Sequence, residues 1–380
     1  MPRSRTEGNS APGAAKRLHV AERETRPNAC VRIATSDTDL DHREMPRMTS
    51  DCAHPLPDRS HPCHPKAARV LVHSLMLASA LGTAPGPALA DPAADPLRVP
   101  NAAVADSLRA AYARDRADTD KNLKEGATSY LAAVARTDFA ERSSLVLGRA
   151  RDCDLRVDDA AFAAHHLRVS VLGDSFRVEA LEDTAHFRTR GGEETRTATL
   201  PPSFVKVGRF TLRLSHQRFP ALIVFDPKSR HFARYHGLSW YPVDLDCRFA
   251  APLTPNPHAD TTIIMSTRGN ARRAVLAGWF DLRVKGKPVR LEAHRLLEPG
   301  VDEQSVSVFF RDATTGSETY GVGRYLDPEK LPNGDWLIDF NSAYNPACAT
   351  SPYYNCPIPS KANTLKIAIR AGEKDSHYAH

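Results

Sequence analysis

The chain has 380 residues, a formal net charge of +6, 41% hydrophobic residues and 25% charged residues. That balance excludes a collagen, a coiled coil and a polytopic membrane protein. The charge is too weak over this length to argue for nucleic acid or an anionic membrane surface, and the length suggests two or three domains at roughly 150 residues each.

Residues 1–66 are rich in Pro, Arg, Ser, Asp and His and show no sustained apolar period. They cannot bury enough surface to offset chain entropy and are expected to be disordered. Lys66 and Arg69 then precede an apolar run from Val70 to Leu81, and a Gly/Pro-containing segment ends in Ala88-Leu89-Ala90 before Asp91. A basic flank, a short apolar run and a small-x-small site describe a secretory signal peptide over 67–90. The run is too short to span a bilayer, which takes about 20 residues. Met45 and Met48 lie nearer to it than residue 1 does, which points to an internal start and an over-long N-terminal extension. The expected mature chain, 91–380, is periplasmic or secreted and keeps no stable membrane anchor. Removing 12 basic and 9 acidic residues lowers its charge to +3 and leaves room for two domains.

Cys30, Cys52 and Cys63 precede the cleavage site, and Cys153, Cys247, Cys348 and Cys356 follow it. An even number in an exported chain permits disulfides. Cys348 and Cys356 enclose a turn-rich loop, Ala-Thr-Ser-Pro-Tyr-Tyr-Asn, wider than the two to four residues of a zinc knuckle. A Cys348–Cys356 disulfide is therefore favoured over zinc. Cys153 and Cys247 either pair or sit as buried thiols.

In the mature chain, 91–139 is expected to be a linker and a helix. Val104, Leu108, Ala111 and Tyr112 recur at helical spacing over 103–123, and the helical character continues to about Ala135. After Ser143 the period becomes two. Strands are expected at 144–147, 154–157, 167–171, 175–180, 203–207 and 209–214, a small sandwich over 140–216. A larger antiparallel barrel or sandwich follows over 217–373, with a tail at 374–380. Its strands begin with Ala221–Phe225. Leu276 to Val284 alternates into a turn at Lys285-Gly286-Lys287 and returns through Val289, Leu291 and Ala293. Further strands are expected at 305–310, 319–326, 336–340 and 365–369. The fold class is all-β with an N-terminal helix.

The densest polar cluster runs from Arg311 to Leu326. On a strand, Glu318, Tyr320, Val322 and Arg324 share one face, and Asp339 and Asn341 share a face of the next. Tyr344 and Asn345 follow at once. If these faces adjoin, Arg311, Glu318, Tyr320, Arg324, Asp339, Asn341, Tyr344 and Asn345 converge on a small polar or anionic ligand. The bland alternative is a buried ion-pair network that fixes register. Glu318 and Asp339 are the candidate acid and base if the protein is a hydrolase acting on an envelope component, with Arg324 stabilising an anion. A non-catalytic structural or partner-binding role is the third reading. No nucleophile elbow, zinc-protease motif, Walker loop or dinucleotide fingerprint is present, so no cofactor is expected. Gly321-Val322-Gly323 is half a dinucleotide motif inside a strand pattern, a packing feature. His165 and His166 could ligate metal, but neighbours on a strand point to opposite faces, so no metal is expected.

Three C-terminal runs, RDATTGSETYGVGRYL, WLIDFNSAYNPACA and CPIPSKANTLKIAIRAGE, together with GLSWYPVDLDCRF at 237–249, resemble the bacterial family catalogued as domain of unknown function 1684. The resemblance spans about 105–373 and implies exported or cytosolic proteins without an assigned activity. A fainter similarity, through Gly148, Arg149, Cys153 to Val157 and Phe162 to His166, is to the start of forkhead-associated domains. It implies a β-sandwich of a family that binds phosphothreonine with loop residues, with Gly148 and Arg149 matching its Gly-Arg pair and His166 its structural His. Ala163 stands where that family's phosphate-contacting Ser would be, which implies a scaffold without its phosphopeptide.

Overall fold

The computed structural model describes residues 93–377. The expected extension at 1–66 and the signal peptide at 67–90 lie outside the described residues. Among those described, no helix is long and apolar enough to cross a membrane.

The helix spans Ala102–Glu125, with the Asn101 side chain accepting from the Val104 N–H at 3.0 Å. It stops at Gly126, earlier than the sequence suggests. Tyr130–Ala132 form a single 3-10 turn and Ala133–Asp138 is a strand, not helix. Alanine favours helix, but here Ala133 and Ala135 pair with Phe225 and Val224 across a sheet edge, and tertiary pairing overrides propensity.

Two antiparallel-rich sheets form the N-terminal sandwich. One has six strands in the spatial order Ala133–Asp138, Pro220–Phe225, Phe210–His216, Ser203–Val207, Phe187–Thr189 and Glu194–Thr195. The other has five, in the order Leu155–Arg156, Ser144–Gly148, Leu167–Leu172, Ser175–Ala180 and Thr197–Leu200. Alternate residues such as Leu145 and Leu147, Leu167 and Val169, and Phe176 and Val178 point between the sheets, where they meet Phe210, Leu212, Leu222 and Val224. The sandwich thus runs from 133 to 225, wider than 140–216, because its first and last strands pair with each other.

Among the described residues, the region after the sandwich is also β-rich but forms no closed barrel. Its long hairpin joins Ala271–Val284 to Lys287–Leu296. Lys285 and Gly286 both have positive φ, 50° and 74°, the two-residue turn that matches strand twist. Smaller sheets pair Arg248–Ala251 with Trp336–Asp339 and Val308–Phe310 with Arg324–Leu326. Phe249, Phe280, Leu282, Phe310, Ile338 and Phe340 fill the space between them. Two expected strands differ. Only Arg324–Leu326 of 319–326 is extended into a ladder, and 365–369 has none. The Thr314 carbonyl instead accepts from the N–H groups of Ser317, Glu318 and Thr319, so the stretch curls and Glu318, Tyr320 and Arg324 do not share a strand face.

The four cysteines at 153, 247, 348 and 356 are buried thiols with no disulfide among them, which corrects the expected Cys348–Cys356 bridge. Cys348 and Cys356 do come together, hydrogen-bonded to one another.

A third apolar cluster joins the parts. Leu123 of the helix, Leu131, Ile223 and Phe225 of the sandwich, and Phe309, Tyr325, Tyr344 and Tyr354 of the C-terminal region pack together. One shared core predicts one cooperative transition. Phe225→Ala is expected to lower unfolding free energy by about 3–5 kcal/mol while keeping a single transition. Urea unfolding followed by tryptophan fluorescence and by far-UV circular dichroism checks this, and two separated transitions would refute it.

Candidate functional site

Arg324 is 1% exposed, and its guanidinium sits 3.2 Å from Asp312 Oδ2. It also donates to the carbonyls of Ile369 at 2.8 Å and Ala371 at 2.5 Å, and its charge lies 5.2 Å from the Phe310 ring centre. Gly323 permits this. A Cβ there would lie 2.5 Å from the Phe310 carbonyl oxygen, so the glycine is a packing feature. Arg324 is therefore structural.

The other expected ligand residues are held apart. Glu318 is gripped by Arg370 at 2.7 Å and accepts from the Tyr241 hydroxyl at 2.9 Å. Arg370 and that hydroxyl hold its carboxyl below the usual range, while burial and Glu318 push the Tyr241 phenol up to about 12. Asp339 accepts from the Tyr112 hydroxyl, from Arg248 at 3.3 Å and from the Asn341 N–H at 3.0 Å. Asn341 exchanges hydrogen bonds with the Asp244 backbone at 2.7 and 2.8 Å. Arg311 donates to the Val322 carbonyl, Tyr320 to the Cys348 carbonyl and Tyr344 to Asp327. Glu318 and Asp339 are thus committed to ion pairs and hydrogen bonds at different places, not paired across a cleft.

Asn345 is the exception, because it lines a cavity of about 360 Å³. Three segments distant in sequence build that cavity: 234–238, 345–350 and 373–377. Its back wall is Glu373, which sequence reasoning did not single out. The Glu373 main chain is fixed on both sides, since its N–H donates to the Ala343 carbonyl at 2.8 Å and the Tyr241 N–H donates to the Gly372 carbonyl at 2.9 Å. Gly372 has φ 84°, and a Cβ there would lie 2.6 Å from the carbonyl oxygens of Phe340 and Ala343. Only glycine fits this close approach, and it turns the chain so that Glu373 faces Asn345. The signal in the sequence was an acid placed directly after a glycine, at the end of an apolar alternation.

The Asn345 backbone and amide N–H groups donate to the two Glu373 oxygens, each at 2.9 Å. Burial nevertheless raises the Glu373 carboxyl to about 8. Asn345 Oδ1 is buried with no hydrogen-bond partner. Tyr235, on the opposite segment, donates to Asp120 of the helix at 2.6 Å, and Asp120 also accepts from the Leu238 N–H at 3.1 Å. The helix thereby fixes one cavity wall.

Residues 233–374 match the model of the family described as "Protein of unknown function (DUF1684)". The chain belongs to this family. The match runs from 233 to 374, so it covers most of the cavity lining and the C-terminal core but not the sandwich, which the resemblance over 105–373 includes. An uncharacterized protein of Haloarcula marismortui, solved by solution NMR, is 33% identical; the similarity covers 37% of this chain and 78% of that one, with a TM-score of 0.31. Mycobacterium tuberculosis EmbR in complex with a low-affinity phosphopeptide matches at 15% identity and a TM-score of 0.18, over 34% of this chain and 33% of that one. The chain therefore spans about a third of the length of EmbR. No curated protein matches the chain. In the sandwich, His166 is 3% exposed and its Nδ1 accepts from the Ala163 N–H at 3.0 Å, a structural role.

Removing Arg324 would leave Asp312, whose side chain is fully buried, without its countercharge. Arg324→Ala is expected to cost about 3–5 kcal/mol of stability. Arg370→Ala, which breaks an exposed pair, is expected to change the melting temperature little. Chemical denaturation of both variants checks the contrast; equal losses would sink it.

Proposed function

We propose that the C-terminal domain binds a small polar ligand in the cavity walled by Glu373 and Asn345. The observation that carries this reading is the pairing of a protonatable buried carboxyl with an unmatched buried acceptor on one cavity wall. An unsatisfied buried polar group costs about 1–3 kcal/mol, and a donor on a ligand would recover that cost. Cavities of a few hundred Å³ suit metabolite-sized molecules. Arg234, His236 and His377 on the same lining can donate to an anionic group.

A second reading, acid–base catalysis in a hydrolase, is supported by one fact. A carboxyl with a pKa of about 8 exchanges protons near neutral pH. This moves the role from Glu318 and Asp339 to Glu373. Export is part of the proposal and rests on the basic flank, apolar run and Ala88-Leu89-Ala90 of the sequence. Mass spectrometry of the protein recovered from the cell envelope is expected to find Asp91 as its N-terminus, and an intact 67–90 segment there would refute export by cleavage.

The ligand reading is tested by thermal shift with a panel of small carboxylates, phosphates and sugars. At least one class is expected to stabilise the protein, and Asn345→Ala and Glu373→Gln are expected to remove that stabilisation. No stabilising class, or stabilisation that survives both variants, would overturn it. The titration has its own signature. The Glu373 pKa rises on folding from 4.5 to about 8, so the folded state binds more protons between those values and stability falls as pH rises through that window. Glu373→Gln is expected to flatten the slope of melting temperature against pH there.

A further inference from the structure

The sandwich holds a group of side chains that the cavity does not involve. The turn after the strand Ser144–Gly148 carries Asp152 and Cys153, and His165 enters the strand Leu167–Leu172. Both Asp152 carboxylate oxygens lie 3.0 Å from His165 Nε2. One ligand atom from each of Asp152, Cys153 and His165 lies within 4.8 Å of the other two. We propose that these three residues bind a divalent transition-metal ion of the zinc class, leaving a fourth position for water or an exogenous anion.

The donor set decides the metal class. Sulfur, imidazole nitrogen and one carboxylate suit zinc and its neighbours, whereas magnesium and calcium take oxygen shells. A thiolate and a carboxylate together supply two negative charges against a divalent ion. Tetrahedral zinc, with bonds of about 2.0–2.3 Å, places sulfur and nitrogen ligands about 3.5 Å apart. The spacings here, 3.0 Å up to a limit of 4.8 Å, bracket that value. On binding, the Cys153 thiol, which donates to the Ala164 carbonyl at 3.3 Å, gives its proton to solvent and its lone pair to the metal. His165 contributes the lone pair of Nε2 as neutral imidazole.

The two loops are set for this before any ion arrives. The Arg149 and Ala150 N–H groups donate to the Ala163 and Ala164 carbonyls at 3.0 and 2.9 Å. Gly148 lets them approach, since a Cβ there would meet the Ala164 carbonyl oxygen at 2.2 Å. The His165 N–H is fixed by Glu182 Oε1 at 2.6 Å. His166 takes no part, because its ring is turned inward to the Ala163 N–H and the His186 carbonyl. The sequence argument that adjacent histidines point apart holds. It missed that His165 faces Asp152 and Cys153 on the opposite loop.

Cobalt(II) titration of the full, reduced chain tests the site. The expected result is uptake that includes a thiolate-to-cobalt charge-transfer band in the near ultraviolet. The part of that band due to this site is lost in Cys153→Ser and kept in Cys348→Ser and Cys356→Ser. His165→Gln and Asp152→Asn, both on exposed side chains, are expected to weaken cobalt affinity at least tenfold without changing the circular dichroism of the apo protein. These two variants keep the test decisive if Cys153→Ser does not fold. Absence of the band, its full persistence in Cys153→Ser, or unchanged affinity in both His165→Gln and Asp152→Asn would overturn the proposal.

Discussion

The buried ion pair between Arg324 and Asp312 is the constraint on which the C-terminal domain depends. The chain from 363 to 374 enters no extended ladder, yet several of its residues, Ile369 and Ala371 among them, are fully buried. Buried backbone groups must find partners, and around Ile369 and Ala371 side chains supply them. Asp312 Oδ2 accepts from the Ile369 N–H at 2.7 Å, and Arg324 donates to the carbonyls of Ile369 and Ala371. Burying a charge is costly. The cost is offset because the guanidinium meets a carboxylate, backbone carbonyls and an aromatic face. Ion pair and segment are therefore mutually dependent.

The position of Glu373 follows from that clamp. Arg324 holds Ile369 and Ala371, Gly372 turns, and Glu373 emerges against Asn345. The contrast with Glu318 shows what burial does to one functional group. Both acids contact the segment around Tyr241, Glu318 through the tyrosine hydroxyl and Glu373 through the backbone bridge to Trp240. Glu318 lies against solvent with Arg370 beside it and stays ionised. Glu373 is enclosed, and burial outweighs two donated hydrogen bonds and the nearby Arg324 charge. Proton exchange near neutral pH therefore belongs to the enclosed acid and not to the one with more obvious partners.

Much of the fold was legible where alternation coincided with pairing. Ser175–Ala180 and Ser203–Val207 are strands with the expected bounds, and the hairpin turn falls at Lys285-Gly286. Alternation misled where side chains took over part of the backbone pairing. The stretch 365–369 alternates as a strand does, but its backbone bonds run to Arg311, Ala313, Asp312 and Arg324. The stretch 133–138 was obscured by alanine, whose helical preference gave way to pairing with Pro220–Phe225. Of the expected ligand residues only Asn345 reaches the cavity. Periodicity describes one strand at a time, whereas this cavity is made of three loops that only tertiary structure brings together.

The helix, which lies before the family segment, still acts on the site. Few of its side chains are apolar and buried, and it docks mainly through polar ties. Tyr112 reaches Asp339, Arg116 donates to the Tyr241 carbonyl at 2.9 Å and stacks over Trp240, and Asp120 holds Tyr235 and Leu238. Three of these five partners, Tyr235, Leu238 and Trp240, belong to or adjoin the wall facing Glu373. Such hydrogen bonds are directional and fix a position in a way that apolar contact does not. The segment 235–241 has no long strand of its own, so its geometry is inherited from the helix on one side and from the Arg324-clamped C-terminal segment on the other. The cavity thus combines a wall set by the helix with a back set by a buried charge.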